Sequence, residues 1–123
     1  MRMSTAIGLL CAVVALTATL AASAVDITGK WTASFETGIG HMDYTYDFTV
    51  NDGKLTGKAT SSFGVVDLLD GKVDGDKVTF GEMLDGAIRI DYTGRIVSAD
   101  EIAFTRQVGE MATEELVAKR VKQ

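Results

Sequence analysis

The segment LLDGKVDGDKVTFGE (residues 68–82) places Asp70, Asp74, Asp76 and Glu82 close together, and carboxylates gathered this way are what a calcium loop uses. Counted from Asp70 as first ligand, however, the third position is Lys72 and the twelfth is Gly81, with Glu82 one residue late. A cation replaces one ligand and the bidentate acid is missing, whereas calcium takes about six to eight oxygens. No helical period flanks the segment. The two Asp-Gly pairs are instead the residues that turn a chain back on itself, and a hairpin is expected here.

A second constellation emerges when residues are counted by two. From Val78 the count runs through Phe80 to Glu82, and from Ile102 through Phe104 to Arg106. A carboxylate and a guanidinium then share a face with bulky apolar groups, where an unpaired charge is costly. They are expected to pair with each other, with tyrosine hydroxyls or with a ligand. Two readings stay open: a structural ion pair (or a bulge turning Glu82 outward), and a mostly apolar pocket with Glu82, Arg106, Tyr44, Tyr46 and Tyr92 as polar fixtures and Phe104 beside them. The latter is the usual make-up of a small-molecule site.

Other chemistry has less behind it. His41 is the only histidine and lies in the loop-like TGIGHMD; an exposed loop histidine is the commoner case, a lone axial haem ligand the rarer. With the single cysteine, Cys11, near the start of the chain, no zinc set can be assembled, and neither metal nor cofactor is expected. Ser34, Ser61, Ser62 and Ser98 lack a nucleophile signature. An enzyme using Glu82 and a tyrosine as acid and base remains an alternative, and its mark would be a strongly raised Glu82 pKa in an open pocket.

The elements that must position these groups have a period of two. In ITGKWTASFE, Ile27, Trp31, Ala33 and Phe35 alternate with Thr28, Lys30, Thr32, Ser34 and Glu36; DYTYDFTV repeats the pattern with Tyr44, Tyr46, Phe48 and Val50. Further strands are expected near 54–60, 64–73, 77–84, 87–97, 101–108 and 114–121, the last competing with a short helix. The intervening NDGK, DGDK and DG supply tight turns, so successive strands should be antiparallel neighbours. Proline is absent, as an extensive sheet favours. The expected fold is all-β, an antiparallel up-and-down barrel of about eight strands. Every aromatic except Phe63 should point inward, filling one end at least, while Gly57 and Ala59 leave room elsewhere. Outward faces rich in Lys, Thr, Asp and Glu lack the apolar band of an outer-membrane barrel.

Residues 1–24 read as a signal peptide: Arg2, an apolar run from Ile7 to Leu20, and Ala22-Ser23-Ala24 before the cleavage site. The run falls short of the ~20 residues that span a bilayer. Leu10 precedes Cys11 where a lipoprotein needs a small residue. Residues 25–123 would then form one domain, exported to the periplasm or secreted, without a disulfide and not inserted in a membrane after processing. The formal net charge of −5 argues against nucleic acid as a partner.

ITGKW at the first strand resembles the Gly-x-Trp start of calycin barrels, the group that includes lipocalins and avidins, and NDGKLTGKAT looks like an avidin hairpin. The whole of residues 26–121 also resembles small exported bacterial barrels, largely uncharacterised, with an ITGxW and DGKVDGD pattern. The resemblance implies that Arg120 of AKRV packs over Trp31 and closes the barrel base, with cation–π attraction as the reason. Biotin is not implied, since avidin pockets are walled by several tryptophans and Trp31 stands alone. The expected function is binding of an apolar or amphipathic small molecule in the lumen. The alternative is a protein-binding module, a periplasmic inhibitor or assembly part with a filled barrel, using the loops ETGIGHM and VGEMATEE and their Met42 and Met111.

Overall fold

The computed structural model describes residues 25–122, so the expected leader, residues 1–24, lies outside the described residues. Nine strands follow one another: β1 (Gly29–Thr37), β2 (Gly40–Asn51), β3 (Lys54–Ser61), β4 (Gly64–Asp67), β5 (Leu69–Asp74), β6 (Lys77–Leu84), β7 (Ile88–Ser98), β8 (Glu101–Val108) and β9 (Ala112–Arg120). Each pairs antiparallel with its neighbours, and β9 returns to β1 through Trp31↔Arg120, which closes the cylinder. The tail is therefore strand, paired to β8 along its length from Val108↔Ala112 to Glu101↔Lys119. The β1–β9 ladder is confined to the Trp31↔Arg120 and Thr32↔Lys119 pairs, so the closing seam is hydrogen-bonded at one end of the two strands.

β4 and β5 are two halves of one wall strand, which makes this an eight-stranded barrel. Both halves pair with β3, but Lys58 faces Asp67 while Leu55 faces Gly71, so one extra residue enters at Leu68–Asp70. Asp70 adopts a φ of 49°, and a side chain at Gly71 would strike the Leu55 carbonyl. The first Asp-Gly pair of the 68–82 segment is thus a bulge inside the wall, and only Asp74-Gly75-Asp76 is a turn, with Gly75 at a φ of 64°. The sequence pattern, which makes 64–73 a single strand, registers Asp-Gly but not which function it serves.

Because the strands run up and down, the connections gather at two ends. The end holding the β1–β2, β3–β4, β6–β7 and β8–β9 turns is called the mouth, and the other the base. Trp31, Phe48, Phe80 and Phe104 fill the base half, with Tyr46 and Tyr92 above them; all are buried. Phe80 stacks on Tyr92 with ring centroids 4.3 Å apart, and both meet Phe104 edge-on. Each such side chain stabilises the fold by ~1.5–3 kcal/mol through burial, and the stacking adds to it. Phe63, at 52% exposure, is the aromatic left outside, at the β3–β4 turn.

Gly57 does not leave room in the lumen. A Cβ there would lie 1.8 Å from the Asp47 carbonyl oxygen, because β2 and β3 press together at a residue with φ of 147°. Gly94 is likewise occupied: the Phe104 ring lies across it, 2.4 Å from where a Cβ would stand. Neither glycine opens space in the interior.

Candidate functional site

Arg120 lies at the base. Its guanidinium carbon is 4.6 Å from the centre of the Trp31 ring. Its Nε, Nη1 and Nη2 donate to the carbonyls of Ala99, Thr28 and Asp26, each at 2.9 Å. The Trp31 Nε1 donates to the Ile27 carbonyl at 2.9 Å. One cation thus ties the chain's entry, the β7–β8 turn and the last strand over the indole face.

The polar layer lies in the mouth half. Arg106 is 4% exposed and Glu82 3%. Arg106 Nε donates to Tyr92 Oη and Nη2 to Tyr44 Oη, both at 2.9 Å, while Nη1 donates to Glu114 Oε1 at 2.5 Å. Tyr46 and Tyr92 share a hydrogen bond of 2.9 Å. The Arg106 guanidinium also stacks near the rings of Phe35 and Tyr44, at 5.3 and 5.2 Å from their centres. Alternation delivers these groups inward, and register sets them level: Arg106 is opposite Tyr92 on β7 and opposite Glu114 on β9.

Tyr44, Tyr46, Tyr92, Glu82 and Arg106 therefore lie in one buried layer, and of the partners expected for Arg106 the tyrosine hydroxyls are met while Glu82 is not. Arg106 pairs with Glu114, not Glu82. Glu82 is on β6 opposite Ile90, with β7 and its Tyr92 between it and Arg106. Glu114 was legible in principle: counting back by two from Ala118 and Leu116 reaches it.

Glu82 Oε1 has no hydrogen-bond partner among the described residues. Burial pushes the Glu82 carboxyl above its ordinary pKa, opposed by the Tyr92 hydroxyl and the Arg106 charge. Burial likewise raises Tyr44, Tyr46 and Tyr92, so all three are neutral phenols at neutral pH. For Arg106 burial acts the other way, yet the surrounding Tyr92, Tyr44 and Glu114 outweigh it and hold the guanidinium charged. The Glu82 carboxyl is raised but sealed from solvent, so it meets only half of what an acid–base catalyst needs.

Above this layer lies a pocket of about 310 Å³ at the mouth. Ile39, Met42, Phe63, Leu84, Val108 and Met111 supply its apolar walls, and Arg106 and Glu114 are among its polar members. Ile39, Phe63 and Met111 are 73%, 52% and 68% exposed, three large apolar side chains carried by three different mouth turns. Of the six residues expected to line a lumen site only Arg106 reaches this pocket; Tyr44, Tyr46, Glu82, Tyr92 and Phe104 belong to the packed interior below. Met42 is buried on β2 rather than on a loop, and both loops expected to be long are tight turns. Gly40 and His41 already belong to β2, where His41 lies outside, hydrogen-bonded to Glu36 and Asp43. Among the described residues no group of three or more His, Cys, Asp or Glu is placed to hold a metal.

No protein-family model matches the chain, and no curated protein matches it. Two solved structures do. One, a redesigned beta barrel, superposes with a TM-score of 0.63 at 10% identity over 79% of this chain and 92% of its own. The other, the redesigned beta barrel mFAP1 bound to DFHBI, superposes with a TM-score of 0.56 at 12% identity over 77% of this chain and 94% of its own. At such identities the likeness is one of fold: a small closed antiparallel barrel.

Proposed function

We propose that this protein is an exported, calycin-like barrel that binds a small apolar or amphipathic molecule at the mouth of its lumen. The observation that carries the reading is the pocket of about 310 Å³, walled by apolar side chains and backed by the Arg106–Glu114 pair. Its size is at the lower end of small-molecule sites, and its make-up of apolar walls with few polar groups is typical of them. Exposed Ile39, Phe63 and Met111 would otherwise cost the protein apolar surface in water. A barrel of the same general fold carrying the small ligand DFHBI lends the reading support by analogy. The signal peptide over residues 1–24, with the periplasm or the exterior as destination, is part of the proposal.

The test is native mass spectrometry of the mature protein after exposure to a lipid and metabolite library, followed by titration of each captured species. Capture that is lost in Met111→Glu and Leu84→Arg variants of unchanged circular dichroism supports the reading. No retained species, with no chemical-shift change at the mouth, refutes it. The same exposed trio would suit a protein partner's apolar side chain; a partner retained from periplasmic extract by wild type but not by Met111→Glu would favour that second reading.

A further inference from the structure

The polar lining of the mouth cavity comes down to one ion pair, and that pair has hydrogen-bonding capacity left over. Arg106 and Glu114 both line the cavity, with side chains 5% and 10% exposed. Arg106 Nη1 donates to Glu114 Oε1, while Nε and Nη2 are taken by Tyr92 and Tyr44. A carboxylate accepts at two oxygens, and a guanidinium carries five N–H groups. Among the described residues no hydrogen bond reaches Glu114 Oε2, and two N–H groups of Arg106 are left over. Thr37 is the other polar side chain of the lining, and it is already engaged: its hydroxyl donates to the Gly40 carbonyl and accepts from the Ile39 N–H.

Oε2 is thus an acceptor that the fold does not use, on a side chain nine-tenths buried, in the wall of an otherwise apolar cavity. A ligand that drives water from this cavity must bring a donor of its own or leave the acceptor bare at a cost. The ion pair also sets the charge of that donor. Guanidinium and carboxylate neutralise each other, so the wall offers hydrogen bonds without net charge. A ligand carboxylate would compete with Glu114 for Arg106 and set two carboxylates side by side. A ligand ammonium would lie beside a guanidinium that cannot shed its proton. A hydroxyl avoids both: it gives its proton to Oε2, and its lone pairs can take a leftover N–H of Arg106.

Resting on the proposed small-molecule site, we infer that its ligand is an uncharged amphiphile whose hydroxyl donates to Glu114 Oε2. Its apolar body lies against Ile39, Met42, Phe63, Leu84 and Met111. Octanol, heptyl methyl ether, octanoate and octylammonium are titrated by calorimetry into the mature protein at neutral pH. The ether is an isomer of octanol that accepts hydrogen bonds but donates none. Octanol should bind about tenfold tighter than the ether, a ratio worth ~1.4 kcal/mol, and tighter than either charged analogue. The carboxyl carbon resonance of Glu114 should move on addition of octanol and stay in place with the ether. Glu114→Gln, which sets an amide N–H where Oε2 stood, should erase octanol's advantage over the ether. An ether that binds as tightly as octanol, a charged analogue that binds tighter, or an octanol advantage that survives Glu114→Gln in a folded variant overturns the inference. Where that variant does not fold, the ether comparison and the Glu114 resonance in the wild type decide. If ether and octanol bind equally, the inference falls while the mouth site stands; if none of the four binds, both fall.

Discussion

Removal of Glu114 tests the buried polar layer most sharply. The side chains of Arg106 and Glu114 are 5% and 10% exposed and 2.5 Å apart, and Arg106 cannot shed its proton. Breaking a buried pair from one side leaves an uncompensated charge in a low-dielectric interior, typically at a cost of about 3–5 kcal/mol. Glu114→Gln keeps the shape and one acceptor oxygen, and Arg106 retains Tyr44, Tyr92 and the nearby Glu82, so we expect the lower end, about 3 kcal/mol. The control is Lys58→Ala, which breaks a surface pair whose members are 58% and 73% exposed and which should cost no more than ~1 kcal/mol. For a domain of this size 3 kcal/mol corresponds to a Tm lower by about 12–24 °C. Urea titration followed by tryptophan fluorescence and circular dichroism gives both values. A second arm replaces both members, Arg106→Leu with Glu114→Leu, and should recover much of the loss because no bare charge remains. If Glu114→Gln costs no more than Lys58→Ala, or if the double variant is worse than the single, the reasoning about a sealed ion pair is wrong.

Glu82 carries a pH signature. Its folded pKa lies above the ordinary 4.5, so the folded state holds the proton more tightly and the associated stability is full below 4.5 and lost as pH rises through the folded value. Wild type should therefore lose stability relative to Glu82→Gln between acid and neutral pH; a constant difference across that range, read by urea titration, would contradict it. Arg120→Met should cost about 3 kcal/mol through the lost carbonyl bonds and cation–π contact, and should red-shift the emission of Trp31, the single tryptophan. An unchanged spectrum would show that the base does not depend on Arg120. Gly94→Ala should cost about 1–3 kcal/mol by displacing Phe104, whereas Gly81→Ala, which meets only the flexible end of Arg89, should be much milder; the two Tm values decide it.

Side-chain direction was legible along nearly the whole described chain, and the reason is local. A strand's neighbours alternate sides whatever it pairs with, so the inward placement of Trp31, Tyr46, Phe80, Glu82, Tyr92, Phe104 and Arg106 follows from parity once strands are assumed. Turn chemistry set most strand limits for the same reason, since Asp-Gly acts on its own backbone. Where one local signal served two ends it misled: Asp70-Gly71 and Asp74-Gly75 look alike in sequence, yet one bulges a wall and the other reverses the chain.

What the chain could not declare by itself is height along the axis. Register between strands distant in sequence decides which inward groups lie level, and a shift of two residues keeps every face while exchanging every partner. By register, Arg106 is level with Glu114 on β9 and Tyr92 on β7, leaving Glu82 without its expected partner. It also brings Ile39, Phe63 and Met111, unremarkable singly, around one opening. Parity belongs to the backbone of each strand and is written residue by residue; level belongs to the closed cylinder, and exists only once the last strand has met the first.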